Sequence, residues 1–189
     1  MWKVLQAIII ASVISIPGAS AQKNPKADDI LREAKVKAVA SNKTIFLIFG
    51  ASWCEACHQL DAFLALPDIA PIFEKYFIVA KISFGEGAGG HPSWDSPGSD
   101  SLMAKYGGVS PQGEVGLPFI AVLDQKAKLM INSNIPGRNQ AKAAPTSTGF
   151  ATEPEEIKWF LTMIRKGAPG VSEDETLKIE EALQDVPAE

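Results

Sequence analysis

Apolar residues at Ala27, Ile30, Leu31, Ala34 and Ala38 recur at three- and four-residue intervals, with Lys35 and Lys37 between them. That spacing predicts an amphipathic helix over residues 27–41, its charged side in water. Asn42-Lys43 ends it. The unbroken run Thr44-Ile45-Phe46-Leu47-Ile48-Phe49 is β-branched and aromatic throughout, the pattern of a strand buried on both faces. After a short turn at Gly50-Ala51-Ser52, helical spacing returns over residues 53–66 and stops at Pro67. A turn or two of helix over 68–75 then leads into a strand at 77–84.

The stretch 85–98 is loop by composition, rich in Gly, Pro, Ser and Asp. A short helix is expected over 99–106, a loop over 107–116, and two strands at 119–123 and 128–132 around a turn at 124–126. Residues 133–151 read as a polar connection. Thr152-Glu153-Pro154-Glu155 has the form of a capping box before an apolar stripe of Ile157, Phe160, Leu161 and Ile164. Ser172-Glu173-Asp174-Glu175 opens a last helix that offers Leu177, Ile179 and Leu183 for docking. This order of helices and strands, without repeats, predicts one α/β sandwich with a mixed sheet.

The start of the chain has a different character. Met1-Trp2-Lys3 is a short basic beginning, Val4 to Ile16 is a largely apolar run of 13 residues, and Pro17-Gly18 precedes Ala19-Ser20-Ala21. Small residues at that spacing form a cleavage site, so residues 1–21 are expected to be a secretory signal peptide cut before Gln22. The run is short for a membrane span, which takes about 20 residues; a retained N-terminal anchor is the alternative. Export places the mature chain in the periplasm or outside the cell, where disulfide chemistry is permitted. A formal net charge of −4 carries no footprint for nucleic acid, and 2 Cys with 2 His are too few for a zinc finger or a disulfide framework.

Both cysteines fall in Trp53-Cys54-Glu55-Ala56-Cys57-His58, after a buried strand and at the start of a helix. One helical turn brings such sulfurs within bonding reach, and the helix N-terminus favours a thiolate at the first. Cys54 is thus expected to be the partly exposed nucleophile. Cys57, one turn deeper and more buried, is expected to resolve mixed disulfides. The strand 46–49, the lead-in Gly50-Ala51-Ser52-Trp53, the Cys-x-x-Cys helix, the strand from Phe77 to Ile82 and Gly116-Leu117-Pro118-Phe119 together resemble the thioredoxin-fold family. The resemblance covers about residues 27–166. It implies a thioredoxin-like fold with a central mixed sheet flanked by helices, an enlarged loop before a cis-proline at Pro118, and an extra C-terminal helix. The domain organisation that follows is a thioredoxin-like domain over 22–170 and a helical extension over 171–189. Trp53, Leu117 and Pro118 would shape the substrate groove, and no bound cofactor is required.

The sequence also departs from the family. The family's buried acidic residue, the proton acceptor for the second cysteine, would fall at Ile48. Deprotonation of Cys57 is then left to water, to Lys81, which matches the family's lysine near that site, or to another group. Glu55 between the cysteines disfavours a neighbouring thiolate, which leans the pair towards reduction or isomerisation, although His58 offers a nearby positive charge. Between Lys81 and Pro118 lie 36 residues, in which His91 and Trp94 are the candidates for touching a partner or for packing the loop down.

Two other readings share the motif. Cys54-x-x-Cys57-His58 is the spacing of c-type haem attachment, with His58 as axial ligand, but such a pocket needs surrounding helices and here the motif follows a strand. Cys54, Cys57 and His58 also form a soft donor set for Cu(I), with His91 the remaining candidate ligand. The expected function is an exported thiol–disulfide oxidoreductase that acts on protein disulfides or dithiols, leaning to reductase, with a membrane thiol-reducing partner to recycle it.

Overall fold

The computed structural model describes residues 24–137 and 149–185. The expected signal peptide and part of the connection after residue 133 lie outside them. Strand β1 (Thr44–Gly50) is buried along its whole middle, as its unbroken apolar run requires. It pairs in parallel with β2 (Phe77–Ser83) and antiparallel with β3 (Phe119–Leu123), which in turn pairs antiparallel with β4 (Leu129–Asn132). The sheet order is β2-β1-β3-β4. A parallel β1–β2 pair needs a crossover, and α2 (Glu55–Leu64) with α3 (Ala70–Tyr76) supplies it.

Side chains alternate across the sheet, so β1 and β3 feed two cores. Phe46, Ile48, Ile120 and Val122 face α2, α3, α5 (Pro154–Gly167) and α6 (Glu173–Gln184). Ile45, Leu47, Phe49, Phe119, Ala121 and Leu123 face α1 (Ala27–Ser41) and α4 (Ser99–Lys105). The first core is aromatic. Phe46 meets Phe73 edge-on with ring centroids 5.3 Å apart, and Phe63 meets Phe160 at 5.9 Å, the edge-to-face geometry that the ring quadrupole favours. At the end of α5, Gly167 lets the helix close on the sheet: a Cβ there would stand 2.6 Å from Val122 Cγ1 and 2.7 Å from Phe77 Cε1.

Several local expectations shift. Helix α2 begins at Glu55 rather than Trp53, because Cys54 is extended and caps it. Helix α5 is capped by Glu153 with Glu156, not by Thr152 with Glu155; Pro154 is pre-set for the first helical position, which makes its predecessor the cap. Strand β4 starts at Leu129, since the Lys128 N–H is turned back to the Asp124 carboxylate at 2.8 Å. The 133–151 connection is polar in composition, yet Ser133, Ile135, Phe150 and Ala151 are all buried, with the Phe150 ring 5.7 Å from Phe63.

The last helix docks through a stripe displaced from the expected one. Thr176, Ile179 and Leu183 are buried, whereas Leu177 is 51% exposed; a residue one step along a helix points about 100° away. Ser172 caps this helix in a reciprocal box with Glu175. Glu175 also accepts hydrogen bonds from Lys75 Nζ and Tyr76 Oη, both at 2.8 Å, tying α6 to α3. The Lys75 hydrogen bond, followed by the Ser172 backbone, holds the Glu175 carboxyl down at about 2. A folded-state value below the unfolded one contributes stability that is present above pH 4.5 and is lost as pH falls towards 2. Glu175→Gln is therefore expected to lower Tm by about 2–4 °C at neutral pH, the scale of one lost cap. Thermal melts at graded pH check this: the gap between variant and parent should close in acid, and a gap unchanged by pH would show that the charge is not responsible.

Candidate active site

Gly50 ends β1, and the chain turns through Ala51-Ser52-Trp53 into α2. The turn is held by the Cys54 N–H donating to the Ala51 carbonyl at 3.1 Å. Gly50 leaves room for the sulfur: a Cβ there would lie 3.1 Å from Cys57 Sγ, a tight contact. Cys54 and Cys57 are joined by a disulfide across the first helical turn, their Cα atoms 5.2 Å apart. The Cys57 N–H is shared between the Cys54 carbonyl at 3.0 Å and Cys54 Sγ at 3.2 Å, so the first sulfur accepts from a donor in the first turn of the helix. A thiolate formed at Cys54 on reduction inherits that donor and the positive end of α2.

The expected contrast in burial between the two cysteines is absent. In the disulfide form Cys54 is 5% and Cys57 7% exposed, because Leu117 and Ala56 pack over the pair. The inequality between the sulfurs comes from the cap, not from depth. Leu117 precedes Pro118 through a cis peptide bond, at the place the sequence resemblance implied. Trp53 is half-exposed, and its Nε1–H donates to the Gly85 carbonyl at 2.8 Å. Gly89 packs on the same indole, where a Cβ would stand 2.5 Å from Trp53 Cδ1.

Glu55 is exposed in the first turn of α2. His58 is exposed too, and its Nε2 carries the hydrogen that binds the Ser52 carbonyl at 2.8 Å, because a carbonyl only accepts. Lys81 projects from β2 to the Asp61 carboxylate at 2.6 Å. Both line a cleft of about 230 Å³ beneath the disulfide, together with Cys57, His58, Ile48 and Glu86. His91 and Trp94 stack on each other, ring centroids 3.9 Å apart, with Trp94 half-exposed. Among the described residues no three His, Cys, Asp or Glu side chains are grouped to hold a metal ion.

Sequence reasoning missed Glu86, Ser52 and Asp61. Glu86 opens a short 3-10 turn, Glu86–Gly89, in a glycine-rich loop where periodicity says nothing about direction. It is only 4% exposed. Its carboxylate accepts from the Ser52 N–H at 3.0 Å and the Ser52 hydroxyl at 2.6 Å. One signal was available: Glu86 is the sole charged residue between Lys81 and Asp95. Asp61 is one helical turn beyond Cys57, on the face that meets Lys81.

A reversible disulfide at a helix N-terminus, set beside a cis-proline on a four-stranded mixed sheet, defines a protein of thiol–disulfide exchange. The sequence matches the Thioredoxin-like family over residues 28–125, and the chain belongs to that family. Fold and Cys54–Cys57 pair together make it a thiol–disulfide oxidoreductase. Similar solved structures include a disulphide isomerase from Xylella fastidiosa Temecula1, 23% identical over 65% of this chain and 80% of that one, with a TM-score of 0.45. The C-terminal domain of Neisseria meningitidis DsbD in the oxidised form is 20% identical over 74% of this chain and 97% of that one, TM-score 0.42. A DsbH oxidoreductase is 15% identical over 86% and 95%, TM-score 0.44. No curated protein matches the chain.

The close fit of the 86–89 turn against Trp53 makes the site sensitive to one methyl group. Gly89→Ala is expected to lift the turn off the indole and shift the Trp53 fluorescence, at a cost in stability of about 1 kcal/mol, the low end for overpacking. The shift should be absent when the same change is made in Trp53→Phe. Identical spectral shifts in both backgrounds would place the effect at another tryptophan.

Proposed function

We propose that the protein is an exported dithiol reductant or isomerase of protein disulfides, recycled by a membrane thiol-reducing partner. The observation that carries the reading is the Cys54–Cys57 disulfide capping α2 beside the cis Leu117–Pro118 bond. Cys54 attacks a substrate disulfide, and one substrate sulfur leaves as thiolate. Cys57 then attacks Cys54 Sγ, the internal disulfide forms, and the second substrate sulfur leaves. Leu117 and Pro118 shape the groove in which the substrate lies, and Trp53 borders it. Export rests on the basic, apolar and small-residue order of residues 1–21.

The direction rests on charge. A strong oxidant is one whose reduced thiolate is highly stabilised. The exposed Glu55 carboxylate, next in sequence to Cys54, works against that stabilisation. The half-exposed Trp94, stacked with His91 on the loop that also packs on Trp53, supports a role of this loop in contacting the partner protein.

The reduction potential tests the direction: a value between about −270 and −180 mV is expected, and one near about −120 mV would overturn the reductant reading. The division of labour is tested by trapping. Cys57→Ser keeps the attacking thiol and loses the resolving one, so it should accumulate a covalent complex with a protein partner, visible on a non-reducing gel and lost on reduction. Cys54→Ser should trap nothing and should lose disulfide-reducing activity. Trapping by Cys54→Ser alone would reverse the roles, and full activity in both variants would end the exchange reading.

A further inference from the structure

Glu86 is a buried carboxylate that the exchange reaction as described above does not use. A carboxylate is costly to bury unless its oxygens are hydrogen-bonded. Here both are, one to the Ser52 N–H and one to the Ser52 hydroxyl. Each carboxylate oxygen has two acceptor positions, so one on each stays open after Ser52 is served. The backbone of Glu86 is fixed as well: its N–H donates to Asp95 Oδ1 at 3.1 Å, and its carbonyl accepts from the His91 N–H at 3.0 Å. Glu86 forms part of the wall of the same cleft as Cys57.

The other charged or titratable groups on that wall are His58 and Asp61 from α2 and Lys81 from β2. Lys81 is a cation bound to Asp61 at 2.6 Å; the ammonium has no proton to accept, and the Asp61 carboxylate is taken up by that ion pair. His58 commits Nε2 as a donor to the Ser52 carbonyl, so a base on this ring could only be Nδ1. Ile48, on the sheet side of the cleft, is apolar. Among the described residues Glu86 belongs to no salt bridge.

We propose that Glu86, supplied by the loop between β2 and α4, is the proton acceptor for Cys57. This rests on the exchange reading given above. Once Cys54 Sγ is joined to a substrate sulfur, the Cys57 thiol passes its proton through water in the cleft to the Glu86 carboxylate. The Cys57 thiolate attacks Cys54 Sγ. The Cys54–Cys57 bond forms, the bond to substrate breaks, and its electron pair leaves with the substrate sulfur. The substrate gains two electrons, the cysteine pair loses two, and Glu86 returns the proton to solvent. Glu86 also positions the turn through Ser52, and a test must separate that role from proton transfer.

Glu86→Gln keeps the shape and both contacts to Ser52, with Oε1 accepting from the N–H and Nε2 donating to the hydroxyl oxygen, but removes the base. Reduced protein is mixed with an equimolar aromatic disulfide, dithiobis(nitrobenzoate), in a stopped-flow instrument. The first thiolate release reports attack by Cys54 and the second reports resolution by Cys57. In Glu86→Gln the first release is expected to be unchanged. Near neutral pH the second is expected to slow on the order of 10²-fold, the lower end of what a positioned acid–base group contributes. The deficit should close as pH rises past about 8.5, where a thiol ionises without help. Glu86→Asp, which keeps a carboxylate, should retain the shape of the parent pH profile. A second release unchanged in Glu86→Gln, slowed equally at every pH, or slowed instead by Asp61→Asn or His58→Gln would overturn the assignment. Loss of both releases in the unaltered protein would instead overturn the exchange reading on which it stands.

Discussion

Strand β1 is the constraint on which the rest of the molecule depends. Its residues Ile45 to Phe49 are buried on both faces, so it has to lie inside a sheet with helices on either side. That requirement sets the parallel partner β2, the antiparallel partner β3 and the two cores that α1 and α5 cover. It also fixes where the chain emerges. The strand ends at Gly50, and the next backbone turn starts a helix whose first donors have no partner inside the helix. A cysteine at that point is held against the sheet by packing, with its sulfur at the positive end of α2. The reactive group sits on a rigid support because the strand beneath it has no other place to go.

Much of this was legible in the sequence, for a physical reason. Continuous burial leaves a continuous apolar run, as in Phe46 to Phe49, and one-sided burial leaves a helical stripe, as in Ala34 and Ala38. The pairing of Cys54 with Cys57 was legible from their spacing, and the cis bond at Pro118 from the resemblance to the family. What failed to show depended on distance in space. Phe150 sits in a polar stretch, yet it packs on Phe63. Leu177 reads as core by composition and faces water by geometry. The equal burial of the two sulfurs comes from Leu117, which the chain brings back only after β2 and α4. Glu86 carries no periodic signal at all, because a glycine-rich turn can aim a side chain in any direction.

The loop after β2 is more than a connection. Gly85 takes the Trp53 N–H, Gly89 lies against the indole, and Glu86 holds Ser52 from below. Three contacts from four or five residues thus fix the lead-in to the cysteines from outside the sheet. The same loop carries the stacked His91 and Trp94, and the His91 N–H donates to the Glu86 carbonyl at 3.0 Å, so those exposed rings are joined by a short hydrogen-bonded segment to the residues that hold Trp53 and Ser52.

Placing an acid on this loop rather than at Ile48 has a consequence for the core. Ile48 is buried among the apolar side chains that α2 and α5 cover, and a carboxylate in that position would have no polar neighbour from the strand itself. In low dielectric such a group holds its proton and destabilises the fold. Glu86 avoids this by bringing its own partner: the Ser52 N–H and hydroxyl satisfy it, and the cleft beside it is open to solvent. The middle of β1 stays apolar, and a base remains at the wall of the cleft that Cys57 lines. Apolar β1 and acidic loop are therefore complementary solutions to one problem, how to keep a proton acceptor near a buried sulfur without burying a charge in the core.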